Sequence, residues 1–227
     1  MAHVEFRDLL RVGQLGRHKK IRTAMKHDFT GVILAGGHNS RLPGIKKTFH
    51  TIGGKMIMDI IHKRLSALFS EVIIVTNDPC AFAGWDSMVV TDINPSKCSL
   101  AGIHAGLFYA STPNIFVSAC DIPFLKTVVM EKIVSHMAPG YDVVIPETDD
   151  GLEPLCAAYS KNCLPLIQNS LDRKVFMVKK FFKKNKTKTI PVRDMKQIDP
   201  EMHSFFNVNT PQDLVTANEI SRADLGS

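Results

Sequence analysis

The run Thr30-Gly-Val-Ile-Leu34, ending at Ala35-Gly36-Gly37, constrains the fold more than any other feature of the chain. It is apolar, rich in β-branched residues and does not alternate. That is the pattern of a strand covered on both faces, as in a parallel sheet with helices on either side. The glycine pair turns the chain at the strand's carboxyl end, the edge where open α/β sheets bind ligands. Adjacent glycines let the backbone come close to phosphates, and their N–H groups can donate to phosphate oxygens.

Downstream, apolar runs and helical periodicities alternate. Ile57, Ile60, Ile61, Leu65 and Leu68 recur at helical spacing, which predicts an amphipathic helix over 56–70. Further strands are expected at Val72–Val75, Met88–Thr91, Ile115–Ala119, Asp142–Ile145 and Leu155–Tyr159. Further helices are expected at 101–110, 125–138, 162–170, 175–184 and 211–222. Strands alternating with helices imply βαβ units, and no repeat or low-complexity linker interrupts them. The expectation is one Rossmann-like three-layer α/β/α domain over 28–227 with a mostly parallel sheet. Residues 1–27 show no such pattern and read as a basic extension outside the core fold, dispensable for chemistry.

Composition narrows the function classes. The chain has 227 residues and a net charge of +6. Residues 1–27 carry seven Lys/Arg against Glu5 and Asp8, and residues 161–196 carry eleven against Asp172 and Asp194. The remainder is acidic, a pattern that suits an enzyme with a cationic pocket better than a nucleic-acid-binding face. The longest apolar runs have strand length, so no membrane span is expected, and the start of the chain lacks the apolar core of a secretory signal. Five scattered cysteines without metal-ligand spacing point to reduced thiols and a cytoplasmic setting. The nine histidines form no ligand pair, and His38 and His104 read as loop and helix-surface residues. Trp85 has no readable role. The run Lys179-Lys-Phe-Phe-Lys-Lys184 reads first as an amphipathic helix, with a docking surface for a phosphorylated substrate and single-stranded nucleic-acid binding as the alternatives.

In the glycine loop, Arg41 and Lys47 can neutralise charge on a leaving pyrophosphate. Walker spacing is absent, so the loop is not a P-loop. Asp121 follows the strand Ile115–Ala119, which places it at the same sheet edge. It is a candidate metal ligand there, with a helix N-cap before Pro123 as the alternative. Asp92 follows the third strand and is either a nucleotide or metal contact or a turn former. Asn207 and Asn209 flank one apolar residue, so an extended backbone turns both amides to one side. Thr210-Pro211 beyond them has the form of a helix N-cap with proline at the first helical position.

The segment Leu34-Ala-Gly-Gly-His-Asn-Ser-Arg-Leu-Pro-Gly-Ile-Lys-Lys47 resembles the nucleotide-binding signature of the MobA-like transferases, the molybdenum-cofactor guanylyltransferases. Leu34, Ala35, Gly36, Gly37, Arg41 and Lys47 match it; Leu42, Pro43 and Lys46 depart from it. Later segments match in the same order: Val75-Thr76-Asn77, then Asp92, then Ser99-Leu-Ala-Gly-Ile103 with Ala105-Gly106-Leu107. They are followed by Cys120-Asp-Ile-Pro-Phe-Leu125, Glu153-Pro-Leu-Cys-Ala-Ala-Tyr159 and Phe206-Asn-Val-Asn-Thr-Pro-Gln-Asp-Leu214. The resemblance spans about 29–218 and implies a fold of the nucleotide-diphospho-sugar transferase type. It implies transfer of GMP from GTP to molybdopterin with magnesium, molybdoenzymes or other cofactor-biosynthesis proteins as partners, and neither nucleic acid nor membrane. Arg41, Lys47 and Asp121 would be catalytic, with Asp121 on the metal. Leu34, Ala35, Gly36, Gly37, Lys47, Asn77, Asp92, Gly102, Asn207 and Asn209 would bind the substrates. Whether Lys46 or Lys47 faces the phosphates stays open. The rivals are a cytidylyltransferase for the same acceptor, a sugar-phosphate nucleotidyltransferase, and a non-catalytic binding protein on the same fold.

Overall fold

A computed structural model describes residues 29–36, 47–181 and 186–226. The strands are β1 (Phe29–Leu34), β2 (Thr51–Ile52), β3 (Lys55–Met56), β4 (Glu71–Val75), β5 (Met88–Val90), β6 (Asn114–Ala119), β7 (Val143–Thr148), β8 (Gly151–Leu152), β9 (Cys156–Ser160) and β10 (Thr187–Ile190). The α-helices are α1 (Ile57–Leu68), α2 (Ser99–Tyr109), α3 (Thr127–Ser135), α4 (Leu164–Asp172), α5 (Val178–Phe181), α6 (Val192–Lys196) and α7 (Pro211–Gly226).

The main sheet runs β10-β7-β9-β6-β1-β4-β5, with β8 paired to β7. Strand β1 lies parallel between β4 and β6, and all six of its residues are buried. Its side chains divide between two cores. Phe29 and Ile33 point into the layer containing Ile57, Leu65, Met130 and Ala217, from α1, α3 and α7. Val32 and Leu34 point into the layer containing Leu100, Ile103 and Ile167, from α2 and α4. The three-layer, mostly parallel arrangement expected from the alternation is therefore present. The exception is β9, antiparallel to both β6 and β7. A parallel return needs a crossover of a dozen or more residues. The chain from Thr148 to Cys156 holds only a tight turn and β8.

Close helix approach rests on two glycines. A Cβ at Gly31 would sit 2.8 Å from the Phe69 ring, and one at Gly106 2.8 Å from Val32 Cγ1. Helix α2 is consequently buried nearly all round, from Leu100 to Leu107.

Four features depart from the sequence reading. The hairpin β2–β3 was not anticipated: Gly53 and Gly54 both have positive φ (58° and 77°), which makes it a two-residue turn of the kind glycine pairs favour. Edge strand β10, with Lys188 in its middle, also escaped the apolar criterion. The helix expected over 175–184 begins only at Val178, because Lys174 ends α4 in a left-handed conformation (φ 56°). Lys183 and Lys184 lie outside the described residues, as do residues 1–28.

His104 is the fourth. It is on α2 but not at its surface: it is 6% exposed, and its Nδ1 has no hydrogen-bond partner among the described residues. Burial pushes its imidazole below the ordinary value of about 6.5, with Asp172 opposing. The unfolded chain therefore takes up this proton first as pH falls, so folding stability is lost as pH drops below about 6.5. Half-buried His62, also shifted downward by burial, acts in the same sense. His104→Leu should flatten, though not abolish, the fall in stability between about pH 6.5 and 5. Denaturant melts across that range check this, and an unchanged slope refutes it.

Candidate functional site

The carboxyl tips of the central strands are knitted together by main-chain bonds. Ala35 N–H donates to Val75 O (2.8 Å), Thr76 N–H to Val90 O (2.9 Å), Cys120 N–H to Leu34 O (3.2 Å) and Ala119 N–H to Leu155 O (2.8 Å). A cleft opens over these tips. It is lined by Leu34 and Gly36 from the end of β1, by Val75 and Asn77 after β4, and by Asp92 after β5. The first turn of α2 adds Ser99 and Gly102, the end of β6 adds Cys120 and Asp121, and Leu155 closes it before β9. Leu34 and Asp121, 87 residues apart in sequence, thus converge, because the parallel strands deliver their carboxyl ends to one edge.

Asn77 and Asp92 face each other, with Asn77 Nδ2 donating to Asp92 Oδ2 at 3.3 Å. Burial pushes the Asp92 carboxyl up, and the Asn77 hydrogen bond partly opposes that shift. Gly102 lies against the same wall: a Cβ there would stand 3.1 Å from Leu34 Cδ2 and 3.8 Å from Asp92 Oδ1. A side chain at 102 would press on Leu34, touch Asp92 and narrow the cleft.

Asp121 sits in the turn directly after β6. Helix α3 begins only at Thr127, with Lys126 at its N-cap, so Asp121 does not cap it. The main chain of Asp121 holds another expected element, accepting from Val208 N–H at 2.8 Å. Val208 is fully buried, Asn207 is exposed and Asn209 half-buried, as an extended segment with its apolar residue inward requires. The Asn207 amide donates to Phe205 O (3.0 Å) and borders an adjoining groove with Glu153 and Phe206. Thr210 caps α7 as the sequence suggested: its Oγ1 accepts from Asp213 N–H (3.2 Å), while Asp213 Oδ2 accepts from Thr210 N–H (2.8 Å).

The structure thus brings Leu34, Gly36, Asn77, Asp92, Gly102 and Asp121 into one cleft, with Asn207 and Asn209 attached to its rim through Asp121. Ala35 lies at the same edge, but its side chain is buried in the core on the α1 side and only its main chain serves there. Gly37, Arg41 and Lys46 fall outside the described residues. Lys47 opens a 3₁₀ turn to Phe49, and its side chain is not among those described. Phe49 anchors that exit from the loop, packing on Phe82 and stacking on Trp85, with ring centroids 5.3 and 6.1 Å apart. Trp85 Nε1 in turn donates to Asp59 on α1 (3.0 Å), which gives that tryptophan a structural role.

Sequence reading missed Lys97, which lines the cleft just before α2. A lone lysine in a Pro- and Ser-containing loop carries no motif, and only its place before a helix that starts at the binding edge could have marked it. Among the described residues no three acidic, histidine or cysteine side chains form a metal cage. Two hard carboxylates in one cleft nevertheless suit magnesium, which takes one or two carboxylates and completes its shell with phosphate oxygens and water.

A parallel strand core with convergent glycine, carboxylate and lysine groups at its carboxyl edge defines a nucleotidyltransferase-type α/β protein. The MobA-like NTP transferase domain family matches residues 31–188, and the chain belongs to that family. It is 38% identical over 194 residues to the molybdenum cofactor guanylyltransferase of Desulfosudis oleivorans, covering 86% of this chain and 96% of that protein. It is 33% identical over 200 residues to a probable molybdenum cofactor guanylyltransferase of Natranaerobius thermophilus, covering 86% and 97%. Among solved structures it resembles molybdopterin-guanine dinucleotide biosynthesis protein A of Archaeoglobus fulgidus, with TM-score 0.76, 27% identity, and 86% and 99% of the two chains covered.

The Asn77–Asp92 pair gives a direct test of the site's electrostatics. Asn77→Ala removes the donor that favours the ionised carboxylate, so the Asp92 titration should move further upward. Carbon-detected NMR of the carboxyl group follows this, and a downward or absent shift would show that the hydrogen bond is not formed.

Proposed function

We propose that this protein is a guanylyltransferase that moves GMP from GTP to the terminal phosphate of molybdopterin, releasing pyrophosphate and forming the guanine dinucleotide cofactor. The observation that carries this reading is the single cleft into which Leu34, Gly36, Asn77, Asp92, Gly102 and Asp121 converge from separate motifs. Family membership supports it.

The reaction asks little covalent chemistry of the protein. An oxygen of the acceptor phosphate, already anionic at neutral pH, bonds to the α-phosphorus of GTP. The bond from that phosphorus to the β-bridging oxygen breaks, and pyrophosphate leaves with the electron pair. No general base is needed, so catalysis is positioning and charge neutralisation. Leu34, Gly102 and Asn77 would bound the base. The main chain at Ala35, Gly36 and Gly37, with Arg41, Lys47 and the newly found Lys97, would hold the triphosphate. Asn207 and Asn209 would orient the acceptor beside Asp121. Magnesium, held by Asp121 with Asp92 nearby, would neutralise charge on the phosphates.

The remaining reading follows the chemistry of the substrates. No helix among the described residues is long and apolar enough to cross a membrane, and a cytoplasmic setting fits an enzyme using GTP and a soluble cofactor. Its partners would be molybdoenzymes or other cofactor-biosynthesis proteins rather than nucleic acid. Residues 1–27 would be an extension outside the catalytic domain.

Asp121→Asn keeps the shape of the side chain while removing its charge. It should fold normally and lose about 10²–10³-fold in kcat, the usual effect of deleting one group aimed at developing charge. Half or more of wild-type kcat at saturating GTP and magnesium removes Asp121 from the mechanism. GTP should also be used in preference to CTP, because a site built for guanine leaves buried polar groups unpaired with cytosine. Equal or faster turnover with CTP and molybdopterin would instead make the enzyme a cytidylyltransferase.

A further inference from the structure

The most completely sequestered carboxylate described in the molecule belongs to no motif and touches no part of the cleft. Asp199 is 0% exposed. Lys126 Nζ lies 2.7 Å from its Oδ1, and Ser204 N–H donates to its Oδ2 at 2.8 Å. Ser204 Oγ in turn accepts from Lys126 N–H at 3.1 Å. Burial pushes the Asp199 carboxyl up, but the bonds from Lys126 and Ser204 outweigh it and hold the group below the ordinary carboxylate range. A charge buried this deeply is costly unless fully partnered, and removing one partner is more damaging than never having had the pair.

What these bonds join gives the cluster its meaning. Lys126 ends the turn that starts at Asp121, and Ser204 lies four residues before Val208. At the far end of both segments Val208 N–H binds Asp121 O. Between the two ties, the Phe124 ring packs on His203 and Phe206, with centroids 6.2 and 6.3 Å apart. Segments 121–126 and 199–208 therefore form a brace closed at both ends. One end carries Asp121 at the cleft, with Asn207 and Asn209 on either side of the Val208 tie; the remote end is the buried Asp199 cluster.

We infer that Asp199 is a positioning residue: through Lys126 and Ser204 it holds the Asp121 turn in register with the Asn207–Asn209 segment, so that the two sides of the transfer site are set by one remote ion pair. The inference rests on the catalytic reading of Asp121 given above. Asp199 lies beyond residue 188, where the family match ends.

Asp199→Asn is the first test, assayed at a temperature where circular dichroism shows it folded. Positioning predicts a kcat at least ten-fold lower with a KM for GTP within two-fold of wild type, since the base-side wall at Leu34, Asn77 and Gly102 is untouched. Hydrogen exchange at the Val208 amide should accelerate at least ten-fold while the Ile33 amide on β1 keeps its protection. Lys126→Arg, which preserves the charge pair, should stay within three-fold of wild type. Asp199→Asn with wild-type kcat and an unchanged Val208 amide would overturn the inference. If that variant does not fold, Lys126→Gln decides: it removes the ion pair and leaves both Ser204 bonds in place. A three-fold or larger loss of kcat at constant KM supports the brace, and wild-type turnover rejects it. Asp121→Asn is measured in parallel. If it is fully active, the catalytic reading and this inference fall together; if it is inactive while Asp199→Asn and Lys126→Gln behave as wild type, only the brace is lost.

Discussion

Strand β1 is hydrogen-bonded along both edges and buried on both faces, and that double constraint organises the rest of the molecule. A strand so placed exposes no side chain to water, so each face must be roofed by a helix close enough to exclude solvent. Gly31 and Gly106 make the approach possible, one on the strand beneath α1 and Phe69, the other on α2 over Val32. Because β1, β4, β5 and β6 run parallel, their carboxyl ends meet at one edge, and most of the described cleft residues come together there.

The strands and helices most legible in sequence are those this constraint governs. An uninterrupted apolar run such as Ile73-Ile-Val75 reads as buried because nothing else explains it, and α1 shows its inner face at regular spacing. Elements that answer to other forces were hidden. The β2–β3 hairpin is defined by two glycines at positive φ rather than by hydrophobicity, and β10 is an edge strand in which only Ile190 is fully buried. His104 shows the limit from the other side. A polar residue on a helix is ordinarily outward, but α2 is enclosed by the sheet and α4, so no outward face is left to it.

The site divides in the same way. Leu34, Gly36, Asn77, Asp92, Gly102 and Asp121 follow strands or begin a helix at the binding edge, where position alone makes them suspect. Lys97 and Asp199 had no such marker. The first depends on a loop that the sheet carries to the cleft, and the second acts through residues 73 and 5 positions away in sequence. Tertiary pairings of that kind leave no periodic trace.

The reversed strand β9 has a consequence for how such an enzyme could change its acceptor. The connections from β1 to β4 and from β5 to β6 run through helices α1 and α2, so lengthening either disturbs the packing against the sheet. Between β7 and β9 the chain simply turns back at the binding edge, through residues 148–155, and packs no helix there. Insertions in that stretch can reshape the ground beside Glu153 and Asn207 while the register of the parallel strands stays fixed. One half of the cleft is thereby free to drift in evolution, and the other is held still.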